Sequence, residues 1–132
     1  MADLKKHVVV GAAVGGGANL IYQLVRLYAS PNRPGSFWDA LAQVRWSRVA
    51  VFAAAGAAIA ALPDLLEPAY HPNHRSLFHS VCCGGALAYG AFGKHSERWG
   101  DEDRHAARVG ALAYLSHLLL DAGTPKSLPL IA

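Results

Sequence analysis

Hydrophobic residues along this chain are gathered into four long runs, and polar residues are concentrated between them. The runs cover residues 8–22, 49–63, 81–93 and 109–120. Helical spacing of apolar positions dominates, and strand-like alternation does not persist for more than a few residues. The pattern therefore predicts an all-α protein.

Capping and turn residues set the expected helix boundaries. The Pro- and Gly-rich residues 30–35 end the first helix, Ser36 with Asp39 and Ser76 provide N-caps for the second and third, and Gly123 closes the fourth. Three prolines between residues 63 and 75 predict an irregular loop after the second helix, which Pro63 interrupts. We predict helices over residues 4–28, 36–62, 76–93 and 101–121.

Four helices with modest connections favour an up-down four-helix bundle, folded as a single domain over residues 1–132. In that topology the first helix start, the second helix end, the third helix start and the fourth helix end lie together. These four places hold the metal-capable side chains His7, Asp64, His74, His79, His117 and Asp121. The opposite end holds His95 and His105, which we expect in a charged, solvated connector.

Composition narrows the protein class. The chain contains 25 Ala and 13 Gly among 132 residues, and charged residues make up 16%, below the roughly 25% of an ordinary soluble domain. This balance excludes a disordered tail and a charged coiled coil. The net charge of +3 comes from scattered residues, so no basic stripe for nucleic acid is present. The adjacent Cys82 and Cys83 cannot join distant segments by disulfides.

Membrane location is open at this level. The apolar runs have 12 to 15 residues, fewer than the roughly 20 that span a bilayer, and the mean hydropathy is +0.21. Small residues four apart, however, suit the close packing of membrane helices. They occur at Gly11 and Gly15, at Ala53, Ala57 and Ala61, and at Ala86 and Gly90.

The strongest chemical signal is the pair His117 and Asp121, whose i, i+4 spacing places both side chains on one helix face. His117 lies among leucines, where an unpaired imidazole is costly to bury. A divalent metal shared with Asp121 would supply a partner. The alternative is a histidine bonded directly to a carboxylate at the helix end.

A second group of polar residues surrounds the proline-rich loop. Asp64 is followed by His74, Arg75 and His79 within 16 residues. Two histidines and two aspartates with one open position suit Zn²⁺ or a similar metal, and the planar guanidinium of Arg75 could bind a phosphate or carboxylate. Alternatively, Asp64 is an ordinary acidic residue in a loop that ends a helix.

Three blocks of sequence extend these observations: LPDLLEP (residues 62–68), PNHRSLFHS (residues 72–80) and YLSHLLLDAGTPK (residues 114–126). Together they resemble the LexA-binding, inner-membrane-associated metal-dependent hydrolase family, itself similar to zinc-dependent phospholipases C and fungal zinc nucleases. The resemblance implies a bacterial inner-membrane location, a helical fold and zinc. It assigns the zinc ligands to Asp64, His79, His117 and Asp121. His7 matches a histidine near the family's N-terminus, and His74 with Arg75 matches its Asn-His-Arg block.

Two functional interpretations remain. The first is a zinc-type hydrolase acting on a membrane lipid or a small phosphoester. There His7 or His74 is a further ligand or general base, and Arg75 stabilises charge on the phosphoryl group. The second is a small helical membrane or assembly protein whose metal is structural or absent, and which could form a homo-oligomer or a larger assembly. Its high Ala and Gly content favours tight helix packing with little pocket. A soluble cytoplasmic location is the alternative to the membrane, and no nucleic-acid partner is expected.

Overall fold

The computed structural model describes residues 4–67 and 77–123, which form helices and turns and contain no strand. The all-α prediction is confirmed, but this part of the chain has five α-helices where four are predicted. They are α1 (Leu4–Ala29), α2 (Phe37–Gln43), α3 (Trp46–Leu66), α4 (Val81–Phe92) and α5 (Asp101–Ala122), with a 3₁₀ helix at Lys94–Arg98 before α5.

The predicted second helix is divided at residues 44 and 45, where a side chain from α1 takes the place of one backbone hydrogen-bond acceptor. Val44 is extended, with ψ of 131°. The Arg45 N–H donates to Gln23 Oε1 over 2.9 Å, and Gln23 Nε2 donates to the Arg45 carbonyl over 3.4 Å. The expected cap is correct, since Ser36 Oγ accepts from the Asp39 N–H at 3.1 Å.

The sequence predicted that Pro63 would end the second helix, and this prediction is wrong. Pro63 lies inside α3, which continues to Leu66. Proline lacks the N–H that would bond one turn back, but the following turn is closed by the Glu67 N–H, which donates to the Pro63 carbonyl over 2.9 Å. Asp64 therefore lies on a helical turn and not in a loop.

The start of α4 also differs from the prediction. Ser80, not Ser76, is the N-cap, and its Oγ accepts from the Cys83 N–H at 3.1 Å. The same hydroxyl donates to the Leu77 carbonyl over 2.7 Å, which closes a turn over residues 77–80 and holds His79 just before the helix. Ser76 lies outside the described residues. The predicted fourth helix, over residues 101–121, corresponds to α5 and is correct to within one residue.

Glycines bring α1 and α3 into backbone contact. A Cβ built on Gly11, Gly15 or Gly56 would lie closer than 3.0 Å to atoms of the facing helix, including the carbonyls of Gly56, Phe52 and Gly11 respectively. Side chains larger than hydrogen cannot fit at this crossing. On α1 the contact is made by Gly11 and Gly15, the pair that the four-residue spacing indicates. On α3 it is made at Phe52, Gly56 and Ala60, whereas the spacing indicated Ala53, Ala57 and Ala61.

At the opposite end, His105 is buried and not solvated, which corrects the prediction for that residue. It stacks on Tyr22 with ring centroids 3.8 Å apart, and its Nε2 lies 3.0 Å from Asn19 Nδ2. His105 lies on the second turn of α5 and faces α1, where Asn19 supplies a hydrogen-bond donor. His95 is exposed, as expected.

Two helices, α1 and α3, are long and apolar enough to cross a membrane by length and composition. Their lengths are about 39 Å and 31 Å at 1.5 Å per residue, so they extend beyond the shorter apolar runs within them. Fewer than a third of the residues in either apolar window are buried within the fold. Large side chains such as Val9, Ile21 and Val51 are exposed, which leaves an apolar surface for lipid or another protein to cover.

We expect Gly15→Ala to lower the free energy of unfolding by about 1–3 kcal/mol, the usual cost of overpacking, because the new methyl group would press on the Phe52 carbonyl. Gly17→Ala is the matched control, since a Cβ there meets no atom within 4 Å. The control should stabilise α1 by about 0.5–1 kcal/mol through lower backbone entropy. Thermal unfolding followed by circular dichroism measures both, and equal effects would contradict the close contact.

Candidate metal centre

Five side chains from four separate segments meet at one end of the helices. His7 comes from α1, Asp64 from the last turn of α3, His79 from the turn before α4, and His117 and Asp121 from α5. One potential ligand atom from each of the last four lies within 4.8 Å of the others. The structure thus brings together five of the six metal-capable residues that the sequence places at this end, and the sixth, His74, lies outside the described residues. Their role as ligands stays a prediction.

The glycine crossing positions two of these residues. His7, Gly11 and Gly15 follow one another at four-residue spacing on α1, so they share one face. On α3 the same spacing links Gly56 and Ala60 to Asp64. Since these two faces pack together, His7 Nε2 lies 3.9 Å from Asp64 Oδ2.

Three imidazole nitrogens surround the two carboxylates. His79 Nε2 is 3.3 Å from Asp64 Oδ1 and 3.6 Å from Asp121 Oδ2. His117 Nε2 is 3.6 Å from Asp121 Oδ2, and His7 Nε2 is 3.5 Å from Asp121 Oδ1. Bonds of about 2.0–2.2 Å to a tetrahedral zinc separate neighbouring ligands by roughly 3.3–3.6 Å. Several of the separations are close to these values, and Asp64, His79, His117 and Asp121 form a group that could hold one metal ion.

Acceptors outside the cluster orient two of the rings. His79 Nδ1 lies 3.0 Å from Glu67 Oε2, and His117 Nδ1 lies 2.7 Å from the Ala60 carbonyl oxygen. The Ala60 carbonyl requires a proton on His117 Nδ1, so the neutral His117 ring presents its Nε2 lone pair to the carboxylates. His79 differs, because its Nε2 is within hydrogen-bond distance of Asp64 Oδ1, at 3.3 Å. Such outer partners commonly hold metal-binding histidines in orientation.

His117 Nε2 is buried and has no hydrogen-bond partner among the described residues, and the same holds for both ring nitrogens of His7. Leaving a buried polar atom unpaired costs about 1–3 kcal/mol. A lone pair that faces carboxylate oxygens is also electrostatically unfavourable unless a cation lies between them. The His117 environment is therefore suited to a bound cation.

Protonation differs between the two oriented histidines. Burial lowers the pKa of His79, but its hydrogen bonds with Asp64 and Glu67 outweigh burial and raise the pKa above its ordinary value. Burial, together with the proximity of His7, lowers the pKa of His117 to about 4. At neutral pH His117 is thus a neutral ring ready to bind a metal, whereas a metal must displace a proton from His79 more often.

Among the described residues, Glu67 is one that sequence reasoning missed at this site. Its Oε1 accepts from the Leu77 N–H at 2.8 Å while its other oxygen contacts the His79 ring, so it ties the turn before α4 to the end of α3. Its position three residues after Asp64, which is adjacent on a helix, was the available signal. The predicted catalytic residues His74 and Arg75 lie outside the described residues.

We expect His79→Asn and His117→Asn to show opposite pH dependence of stability in the metal-free protein. The raised pKa of His79 makes its contribution complete below its ordinary value of 6.5, and the contribution disappears as pH rises through the raised pKa. The cost of His79→Asn should thus be greatest at low pH.

For His117, with its pKa near 4, the contribution is complete above 6.5 and disappears as pH falls toward 4. His117→Asn should therefore cost most at neutral pH. Chemical denaturation with a chelator present, from about pH 4.5 to 8, measures the cost of each substitution. Two costs that change in parallel with pH would contradict these assignments.

Comparison of the chain with protein-family models, with curated proteins and with solved structures finds no match. The resemblance to the inner-membrane metal-dependent hydrolases therefore stays a prediction that depends on the three sequence blocks.

Proposed function

We propose that this protein is a membrane-associated, metal-dependent hydrolase that acts on a phosphoester. The observation that carries the proposal is the orientation of His117. Its Nδ1 donates to the Ala60 carbonyl, so its buried Nε2 lone pair faces Asp64 Oδ1 and Asp121 Oδ2 at 3.9 Å and 3.6 Å. A cation among these atoms would make this arrangement favourable.

The donor set favours zinc within the divalent metals. Imidazole nitrogens combined with carboxylate oxygens suit Zn²⁺ and its neighbours in the first transition row. When bound, the metal would supply a Lewis acid for a phosphoryl oxygen and lower the pKa of a water ligand.

The residues of the chain determine how such a site is reached and held. The Asp64 side chain is 18% exposed, whereas those of His7, His79, His117 and Asp121 are 0–2% exposed. Solvent and substrate therefore approach from the Asp64 side. The Glu67 carboxylate on the His79 ring increases the basicity of that ring and fixes its direction toward the centre.

The apolar exterior supports a membrane location. His7 lies near the beginning of α1 and Asp64 near the end of α3. If both helices cross the bilayer, these ends are on the same side, and the centre lies at the membrane surface. A phosphoester in a lipid headgroup is found at that depth, which makes a lipid a suitable substrate.

Burial favours a second candidate, in which the metal is structural. Closed sites with all positions occupied by protein are typical of structural zinc, and four of the five side chains here are nearly inaccessible. In that case metal removal would destabilise the joined ends of α1, α3 and α5, and no hydrolysis would be observed.

We expect His117→Ala to abolish metal retention while the helices stay folded, because the ring leaves only a small cavity at a helix end. Asp121→Asn keeps the shape but removes a charge, so weak metal binding should remain and most activity should be lost. His95→Ala, on an exposed residue outside the cluster, should change neither property. Metal content by mass spectrometry and hydrolysis of bis(p-nitrophenyl) phosphate measure both effects.

Retention of stoichiometric metal by His117→Ala would show that the site is assigned wrongly. Wild-type protein that retains metal, loses thermal stability with a chelator and hydrolyses no phosphodiester would establish the structural alternative.

We expect the protein to remain with membranes after alkaline carbonate extraction. Ala55→Arg should reduce the membrane-bound fraction, because an arginine near a helix centre costs about 2.5–3.5 kcal/mol on insertion. Ser47→Arg is the matched control, because Ser47 and Ala55 are both exposed on α3. It should have little effect, because Ser47 is on the first turn of the helix, where an arginine can extend its charge to the membrane surface. A monodisperse preparation without detergent would contradict the membrane location.

A further inference from the structure

An apolar groove with a volume of about 540 Å³ lies between α3, α4 and α5. Its floor is α5, at Ala107, Gly110 and Tyr114, and its walls are α3 and α4. Small residues on the floor and on α4 make it a slot, and its volume lies within the range of about 300–1,000 Å³ found for small-molecule sites.

The groove is aligned with the centre. Ala107, Gly110 and Tyr114 recur every three or four residues, and the same face of α5 continues to His117 and Asp121. At 1.5 Å per residue, the floor from Ala107 to Tyr114 is about 10 Å long, and His117 follows about 5 Å further along.

The end of the groove nearest the centre is fixed by a hydrogen bond. The Tyr114 hydroxyl donates to the Phe78 carbonyl, and Phe78, which lines the groove, immediately precedes His79. The groove thus ends at the residue beside a candidate ligand.

The lining offers little to a polar occupant. Apart from Tyr114, whose hydroxyl is engaged, the described lining residues are aliphatic, aromatic, glycine or cysteine, and none is charged. Water in such a slot has few hydrogen-bond partners, so its displacement by hydrocarbon is favourable.

We infer that this groove binds one alkyl chain of the substrate and directs the phosphoester at its end to the metal centre. The head-group part of this inference depends on the proposed function. It defines the substrate class as a phosphoester of a long-chain lipid, in preference to a small water-soluble phosphoester.

Trp99 lines the groove and provides a local reporter. The test protein carries Trp38→Phe and Trp46→Phe, which leaves Trp99 as its single tryptophan. It is held in a fluorinated surfactant, whose chains do not compete with hydrocarbon. We expect dodecyl phosphate brominated along its chain to quench Trp99 saturably, with competition by unbrominated dodecyl phosphate but not by methyl phosphate.

Two glycines of α4 provide matched variants. A Cβ on Gly85 or Gly90 meets no atom within 4 Å, so a side chain at either position starts in open space. Only Gly90 lines the groove, whereas Gly85 lies on another side of the helix. Gly90→Leu should raise the Kd for the brominated probe at least tenfold, and Gly85→Leu should change it less than twofold. The absence of saturable quenching, or equal effects of the two variants, would overturn the inference.

The two proposals fail separately. Quenching of Trp99 that depends on Gly90, in a protein that neither retains metal nor hydrolyses phosphodiesters, would support the groove and refute the proposed function. Metal retention and hydrolysis without quenching would refute the groove alone. A dimer that Gly90→Leu dissociates, again without quenching, would overturn the inference because a second copy would then be the occupant.

Discussion

Where α1 crosses α3, the glycines at positions 11 and 15 lie directly against the backbone of the facing helix, and neither helix can carry a larger side chain there. This contact fixes the separation of the two helices. His7 precedes Gly11 by about one turn, and Asp64 follows Gly56 by about two, so the crossing also sets the distance between these two residues. Because six of the ten buried apolar residues in the described part of the chain are alanines, close approach of the backbones supplies dispersion contacts that large side chains supply in other proteins.

The cluster at the end of the helices brings buried polar and charged groups close together, which is electrostatically unfavourable. Three imidazoles and two carboxylates are packed together with little solvent, which is expensive without precise pairing. Glu67 and the Ala60 carbonyl fix the rings of His79 and His117 from outside the cluster. The inward Nε2 of His117 is thereby oriented but has no hydrogen-bond partner among the described residues. An arrangement that lowers stability in order to orient imidazoles and carboxylates toward one another is typical of a functional site.

Local sequence patterns were sufficient for the helical class, for α1 and α5 and for the meeting of Asp64, His79, His117 and Asp121. Two of the errors arose where a distant residue decides the local structure. The break at Arg45 depends on Gln23 of α1, and the burial of His105 depends on Asn19. Capping residues and hydrophobic periodicity report on residues that are close in sequence. They therefore do not predict contacts between separate helices.

Burial of the three imidazoles has a kinetic consequence. An ion held among them has one partly open side, at Asp64, and is otherwise enclosed by helices that are distant in sequence. Its exchange with solution would then require local opening of the helix ends, whose frequency is set by the stability of that region. Such an ion would enter most readily before α5 docks on α1 and α3, so metal supply during folding would determine how much of the protein is loaded.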